Sequence, residues 1–217
     1  MPITSTKKTT AIIIAEEISH RIGKRILNPG ERLVESAIAE EFNTSHSPVR
    51  EALLMLERDR LVQRIPYQGV IVRRFSKSDI HELYDVIYRL EEIAMEKAMV
   101  NITAEAVVNL ENVIQSQEQA VVEKNVELYY DLNEEFHNLI FLIARNKVLN
   151  EMYSSLRRSA RPFRMISMAQ GDNLESSLAE HKKQAKALME KDVTSGKRAI
   201  HEQEIRSIAS LDILFPE

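Results

Sequence analysis

Within residues 11–27, Ile14, Ile18, Ile22 and Ile26 recur at every fourth position, the spacing of a single apolar helix face. The pattern predicts a helix that closes at Asn28-Pro29-Gly30, where Asn and Gly accept left-handed backbone and Pro cannot continue the ladder. Val34, Ile38 and Phe42 predict a short second helix. After the polar turn 43–47, Ser47-Pro48 reads as an N-cap followed by proline at the first position of a third helix, with Val49, Leu53 and Leu56 as its buried stripe. That helix closes near Arg60, and the period then changes. Residues 61–65 and 70–73 read as two short strands around the turn Pro66-Tyr67-Gln68-Gly69.

Beyond Ser78, read as another N-cap, strand signals stop and helical spacing recurs to the end. Ile80, Leu83, Ile87, Leu90 and Ala94 form one stripe, and Val107, Leu110, Ile114 and Val121 a second. Leu128, Leu132, Phe136, Leu139 and Ile143 form a third. Leu149, Met152, Leu156 and Phe163 form a fourth, with a kink expected at Pro162, and residues 174–190 and 194–214 supply two more helices. The expected fold is mainly α: a winged helix-turn-helix over residues 1–75, then an all-α antiparallel helical bundle over residues 76–217.

Composition narrows the function. With 44% apolar and 29% charged residues and only 11 Gly and Pro in 217, the chain has the makeup of a folded globule. No apolar run nears the roughly 18 residues that span a bilayer, so no membrane partner is expected and a cytoplasmic location is. The absence of cysteine excludes disulfides, thiol nucleophiles and thiolate metal sites, which leaves nitrogen and oxygen ligands for any metal. Glycines 23, 30, 69, 171 and 196 are too scattered for a phosphate loop or dinucleotide fingerprint. The net charge of −4 hides an asymmetry: residues 1–75 carry 12 basic and 9 acidic side chains, the remainder 17 and 24. A mildly basic first third suits DNA, and the acidic remainder does not.

Arg50 falls in the first turn of the third helix, where a recognition helix meets base edges and a guanidinium can pair with guanine O6 and N7. The plainer alternative is a surface bridge to Glu51 or Glu57. Arg73 and Arg74, at the wing, have the charge to approach phosphates. In the bundle, His137, His181 and His201 each face the apolar side of their own helix. Three imidazoles on core-facing stripes invite one shared explanation, a divalent metal such as Zn or Ni, with Asn133 one turn before His137 adding an amide oxygen. The alternative is a set of ordinary core histidines hydrogen-bonded to carbonyls or carboxylates. A di-iron centre is excluded, because in the bundle only Glu134 and His137 have the Glu-x-x-His spacing, and neither His181 nor His201 has Glu three residues before it.

These residues bring a family into view. The chain resembles the GntR family of bacterial transcription regulators, in its FadR-type branch with an FCD effector domain. The resemblance rests on Pro29-Gly30-Glu31-Arg32-Leu33, on the run from Ser45 to Leu53, on Gly69-Val70-Ile71-Val72, on Glu135-Phe136-His137 and on Ala144-Arg145-Asn146. It implies a homodimer on a palindromic double-stranded operator, a repressor more than an activator, and no enzyme. Carried over, Ser45, His46, Ser47 and Arg50 lie at the base and phosphate contacts, with Gln68 and Gly69 at the wing tip. The family usually has arginine where this chain has His46, so one guanine contact is expected to be weaker.

In the effector domain the family pattern of one Asp or Asn and three His falls on Asn133, His137, His181 and His201. The resemblance thus implies a metal that anchors a small-molecule carboxylate, with Arg89 completing the anion site and Tyr130 as a further pocket residue. Two rival readings accompany it: a direct metal sensor, and a metal-dependent hydrolase built on the three histidines.

Overall fold

The computed structural model of the chain describes residues 8–214. They divide into two compact units, one running to Phe75 and one starting at Ser76.

The first unit runs α1 (Thr10–Gly23), β1 (Arg32–Leu33), α2 (Glu35–Glu41), α3 (His46–Arg58), β2 (Val62–Ile65) and β3 (Gly69–Val72). The side chain of Thr9 caps α1 by accepting from the Ile12 amide at 3.3 Å. Ile14 and Ile18 are buried, but the helix stops at Gly23, short of the expected end, and Ile26 is 61% exposed. The reason is local. Glycine is a poor helix former, Arg25 turns left-handed with φ 54°, and the Arg21 carbonyl accepts from both Ile26 and Leu27. Helix α3 likewise starts two residues earlier than the sequence pattern indicates, with Ser45 as the N-cap. Pro48 then occupies the third helical position, where an N–H would still lack an intrahelical partner.

The strands form one antiparallel sheet in the order β1-β3-β2, with Arg32 opposite Ile71 and Val62 opposite Val72. Strand β1, unforeseen in the sequence, completes the wing. Ile14, Ile18, Leu33, Val49, Leu53, Leu56, Val62, Val70 and Val72 make a common core, each such side chain contributing about 1.5–3 kcal/mol on burial. The core therefore fixes α3 and the β2–β3 turn to one scaffold.

The second unit consists of α4 (Lys77–Asn101), α5 (Ala104–Val122), α6 (Val126–Ile143), α7 (Lys147–Met168), α8 (Asn173–Glu190) and α9 (Val193–Leu214), in accord with the six-helix reading. Side chains of Thr103, Asn125 and Asn146 cap α5, α6 and α7, each accepting an amide N–H three residues on. Ser76, and not Ser78, caps α4, in a reciprocal capping box with Asp79. Helix α4 packs on α6, α7 and α9, while α5 packs on α6 and α8. Pro162 lies buried inside α7, which runs through it to Met168.

The helices are where the stripes put them, but two are turned. In α6 the buried face is Tyr129, Asn133, Phe136, His137 and Ile140, with Leu128 exposed. In α7 it is Leu149, Tyr153, Arg157, Ala160 and Arg164, with Met152 exposed. Both rotations carry polar side chains inward.

Candidate functional site

Ser45, the N-cap of α3, and its first residues His46 and Ser47 are all exposed, and Arg50 follows one turn later with 66% of its side chain exposed. The Arg50 Nε donates to Glu35 Oε2 at 2.8 Å, so its acidic partner is on α2 and is neither of the two neighbours considered from the sequence. A base edge reached by Arg50 would have to compete with that carboxylate. At the wing, Gln68 is exposed beside Gly69, whose φ of +85° demands the left-handed region, and Tyr67 is fully exposed. Arg73 and Arg74 have local engagements: Arg73 stacks 4.8 Å from the Phe75 ring centroid, and Arg74 lies against Gly30, where a Cβ would come within 2.8 Å of its Nη2.

In the bundle, polar side chains from all six helices converge. Gln117 of α5 donates from Nε2 to the Leu132 carbonyl at 3.0 Å, which turns its Oε1 toward the Nδ1–H of His181, 2.9 Å away. The Nε2 of His181 then accepts from the Asn133 amide at 3.3 Å. The His181 ring stacks on Phe136 at 4.1 Å and meets His137 edge-on at 5.1 Å. Burial, reinforced by the charges of Arg157 and Arg164, lowers both imidazoles well below their usual range and keeps them neutral.

The α7 face closes the site with charge. Arg157 donates through Nη2 to Asn133 Oδ1 at 3.2 Å and to Glu134 Oε1 at 2.8 Å. Arg164 donates to the same two oxygens. Burial alone would raise the Glu134 carboxyl, but the two guanidiniums outweigh it and hold the group below the ordinary value. Deeper in, Glu91 of α4 accepts from the Tyr153 hydroxyl at 2.7 Å and lies 3.3 Å from His137 Nδ1. Its carboxyl is raised, chiefly by burial. From α9, Arg206 forms a two-pronged pair with Glu180 at 2.6 and 2.8 Å. Tyr84, Asn133, Arg157, Arg164, Gln203 and Arg206 line a cavity of about 30 Å³, room for a water molecule or so.

Of the four residues expected to ligate a metal, the structure brings together Asn133, His137 and His181 but not His201. His201 is 58% exposed on α9, with Nδ1 3.1 Å from Glu204. On α9 the cavity is reached instead by Gln203, Arg206 and Ser207, and the Oε1 of Gln203 accepts from Gln184 at 2.7 Å. Among the described residues, no three or more His, Asp or Glu side chains are grouped to hold a metal ion. Arg89 is also misplaced by the sequence reading: it is exposed, beside Asp85 and Glu92 on its own helix. Tyr130 is buried, with Arg161 and Arg164 at 5.8 and 5.5 Å from its ring.

Sequence reasoning passed over Arg157, Arg164 and Glu91. Their signal was present: Leu149, Tyr153, Arg157, Ala160 and Arg164 follow helical spacing, as do Ile80, Tyr84, Ile87, Glu91 and Ala94.

A winged helix-turn-helix followed by a bundle of helices around a polar interior defines a DNA-binding transcription regulator with an effector domain. The FCD domain model matches residues 82–203, and the model of bacterial regulatory proteins of the gntR family matches residues 11–72. The chain belongs to the GntR family and carries an FCD domain. It is 26% identical to the HTH-type transcriptional regulator YdhC of Bacillus subtilis over 83% of each chain. It is 28% identical to the HTH-type transcriptional regulator McbR of Escherichia coli over 72% of each. It is 27% identical to the gluconate operon transcriptional repressor of Bacillus subtilis over 75% of this chain and 67% of that one. The solved structure of Escherichia coli McbR/YncC has the same fold, with a TM-score of 0.80 and 24% identity over 96% of this chain and all of that one. These relatives are named as regulators, and the chain is a DNA-binding regulator, not an enzyme. Among the described residues no helix is long and apolar enough to cross a membrane.

Proposed function

We propose that this regulator is a cytoplasmic repressor that binds a palindromic operator as a homodimer and responds to a small organic anion, most simply a carboxylate, taken up in the bundle cavity. The observation that carries the reading is the presence of three guanidiniums, Arg157, Arg164 and Arg206, on the wall of one polar cavity. Fixed cationic forks of this kind match carboxylates in geometry and charge. Support for repression comes from relatives named as repressors, the gluconate operon repressor among them. The first residues of α3 and Arg50 supply the DNA contacts in this reading, with Gln68 and Gly69 at the groove edge. Effector binding acts by preferring one arrangement of the dimer's winged helices, and the coupling equals that preference, typically 1–3 kcal/mol.

The metal of the sequence reading meets an obstacle here. The Asn133 oxygen that would serve as ligand already accepts from two guanidiniums, and the third imidazole is on the exposed side of α9. The test of the proposal is selection of bound fragments from genomic DNA, followed by anisotropy titration of the selected duplex with and without gluconate, succinate and citrate. An acid that weakens operator binding supports the reading. Affinity unchanged by any of the three refutes it.

A further inference from the structure

We propose that the bundle binds its carboxylate without a metal ion, on a clamp made by Arg157 and Arg164, and that Glu134 fills this clamp as an internal stand-in while ligand is absent. The proposal rests on the reading of the cavity as an organic-anion site.

The donors a metal would need are otherwise engaged. Asn133 Oδ1 accepts from both guanidiniums, and a divalent cation on that oxygen would sit against two positive charges. Both nitrogens of His181 are committed, Nδ1 to Gln117 and Nε2 to the Asn133 amide. His137 has its Nδ1 beside Glu91, and only its Nε2 is buried without a partner. The α9 side chains at the cavity, Gln203, Arg206 and Ser207, include neither an imidazole nor a carboxylate. One available imidazole nitrogen is too small a set for a stable divalent site.

The same geometry describes an anion clamp. Arg157 and Arg164 stand two turns apart on one face of α7 and converge on a single oxygen, Glu134 Oε1, from Nη2 and Nη1 respectively. The arginines are buried, with 6% and 8% of their side chains exposed, whereas Glu134 is 29% exposed and has a way out to water. A ligand carboxylate that replaces Glu134 meets the same donors, and the charge balance of the site is preserved because one carboxylate exchanges for another. Both arginines also line the cavity, so the clamp and the cavity share a wall. Tyr84, whose hydroxyl is buried with no partner, lines the same cavity and is an unused polar group for a ligand's other atoms.

The test compares full-length protein stripped with 1,10-phenanthroline, a chelator with no carboxylate of its own, with protein loaded with Zn²⁺. Elemental analysis of the protein as purified is run alongside. Thermal shifts are titrated with gluconate, succinate and citrate. The proposal expects metal well below one ion per chain and the same acid response in both samples. Glu134→Gln, which removes the competing charge, should lower the half-saturating concentration of the active acid by about tenfold, the equivalent of roughly one charge-assisted hydrogen bond. Arg164→Lys, which keeps the charge and loses the fork, should raise it by about the same factor. A response confined to the Zn²⁺-loaded sample overturns the metal-free clamp and leaves the organic-anion reading standing. No response in either sample overturns both. An unchanged half-saturation in Glu134→Gln overturns the stand-in.

Discussion

The Nδ1–H of His181 donates to Oε1 of Gln117 at 2.9 Å, and this bond decides which nitrogen of the ring faces the site. Oε1 can only accept, and Gln117 is held in that orientation by its own bond to the Leu132 carbonyl. The Nε2 lone pair therefore points at Asn133. Substituting Gln117→Leu leaves a buried N–H without an acceptor, so stability should fall by about 1–3 kcal/mol. Urea unfolding measures it, and an unchanged midpoint would mean that the Gln117–His181 bond contributes nothing to the fold.

The neutral state of His137 and His181 makes stability depend on pH. Both are held below the ordinary imidazole value, first by burial and then by neighbouring positive charge. As pH falls below about 6.5, the unfolded chain binds protons on these rings while the folded chain does not, so stability falls, by up to about 1.4 kcal/mol per pH unit for each histidine. Glu91 works in the opposite direction: its raised carboxyl takes up a proton in the folded state first, which offsets part of the loss toward lower pH. Urea midpoints between pH 7 and pH 5 should decline, and the decline should be shallower in His181→Gln. Equal slopes would mean that His181 does not carry this dependence.

Tyr153 stacks on Phe141 at 3.7 Å between ring centroids and donates its hydroxyl to Glu91 at 2.7 Å. Tyr153→Phe keeps the stacking and removes the donor. The buried Glu91 already has one oxygen without a partner, so the change should cost about 1.5–3 kcal/mol. Combining it with Glu91→Gln should cost less than the two changes summed, because they share one bond. Strict additivity in the double-mutant cycle would contradict the coupling.

Arg50 offers a clean separation of fold from DNA recognition. Its bridge to Glu35 is exposed and contributes about 0–1 kcal/mol. Arg50→Ala should thus unfold at nearly the parent temperature. Its affinity for the selected operator should drop by about 1–3 kcal/mol if the guanidinium reads a base, with binding to scrambled duplex much less affected. Parallel anisotropy titrations on the two duplexes decide the matter: equal losses on both would reduce Arg50 to a phosphate contact.

The apolar spacing located the bundle helices because each must bury one stripe, and three- and four-residue spacing is the trace that requirement leaves. It was less exact about which face turns inward. On α6 and α7 two adjacent faces carry apolar residues, and packing chose Tyr129 over Leu128 and Tyr153 over Met152. Strand β1 left no pattern, since two residues become a strand only when β3 is there to pair with them.

The site divides in the same way. Asn133, His137 and His181 were legible because a polar residue on an apolar stripe is visible in any helical reading. His201 and Gln203 differ by two residues, which on an α-helix is about 200° of rotation. Sequence chemistry favoured the imidazole, and the packing of α9 put the amide inside. Arg157 and Arg164 carry the charge expected of a solvated face, and what makes them a site is Glu134 and Asn133 arriving from α6. Periodicity and turn residues were enough to give the helices, the hairpin that follows α3 and the family. Which polar groups meet was decided only in the tertiary structure, because each buried charge is tolerable only beside a partner that another helix supplies.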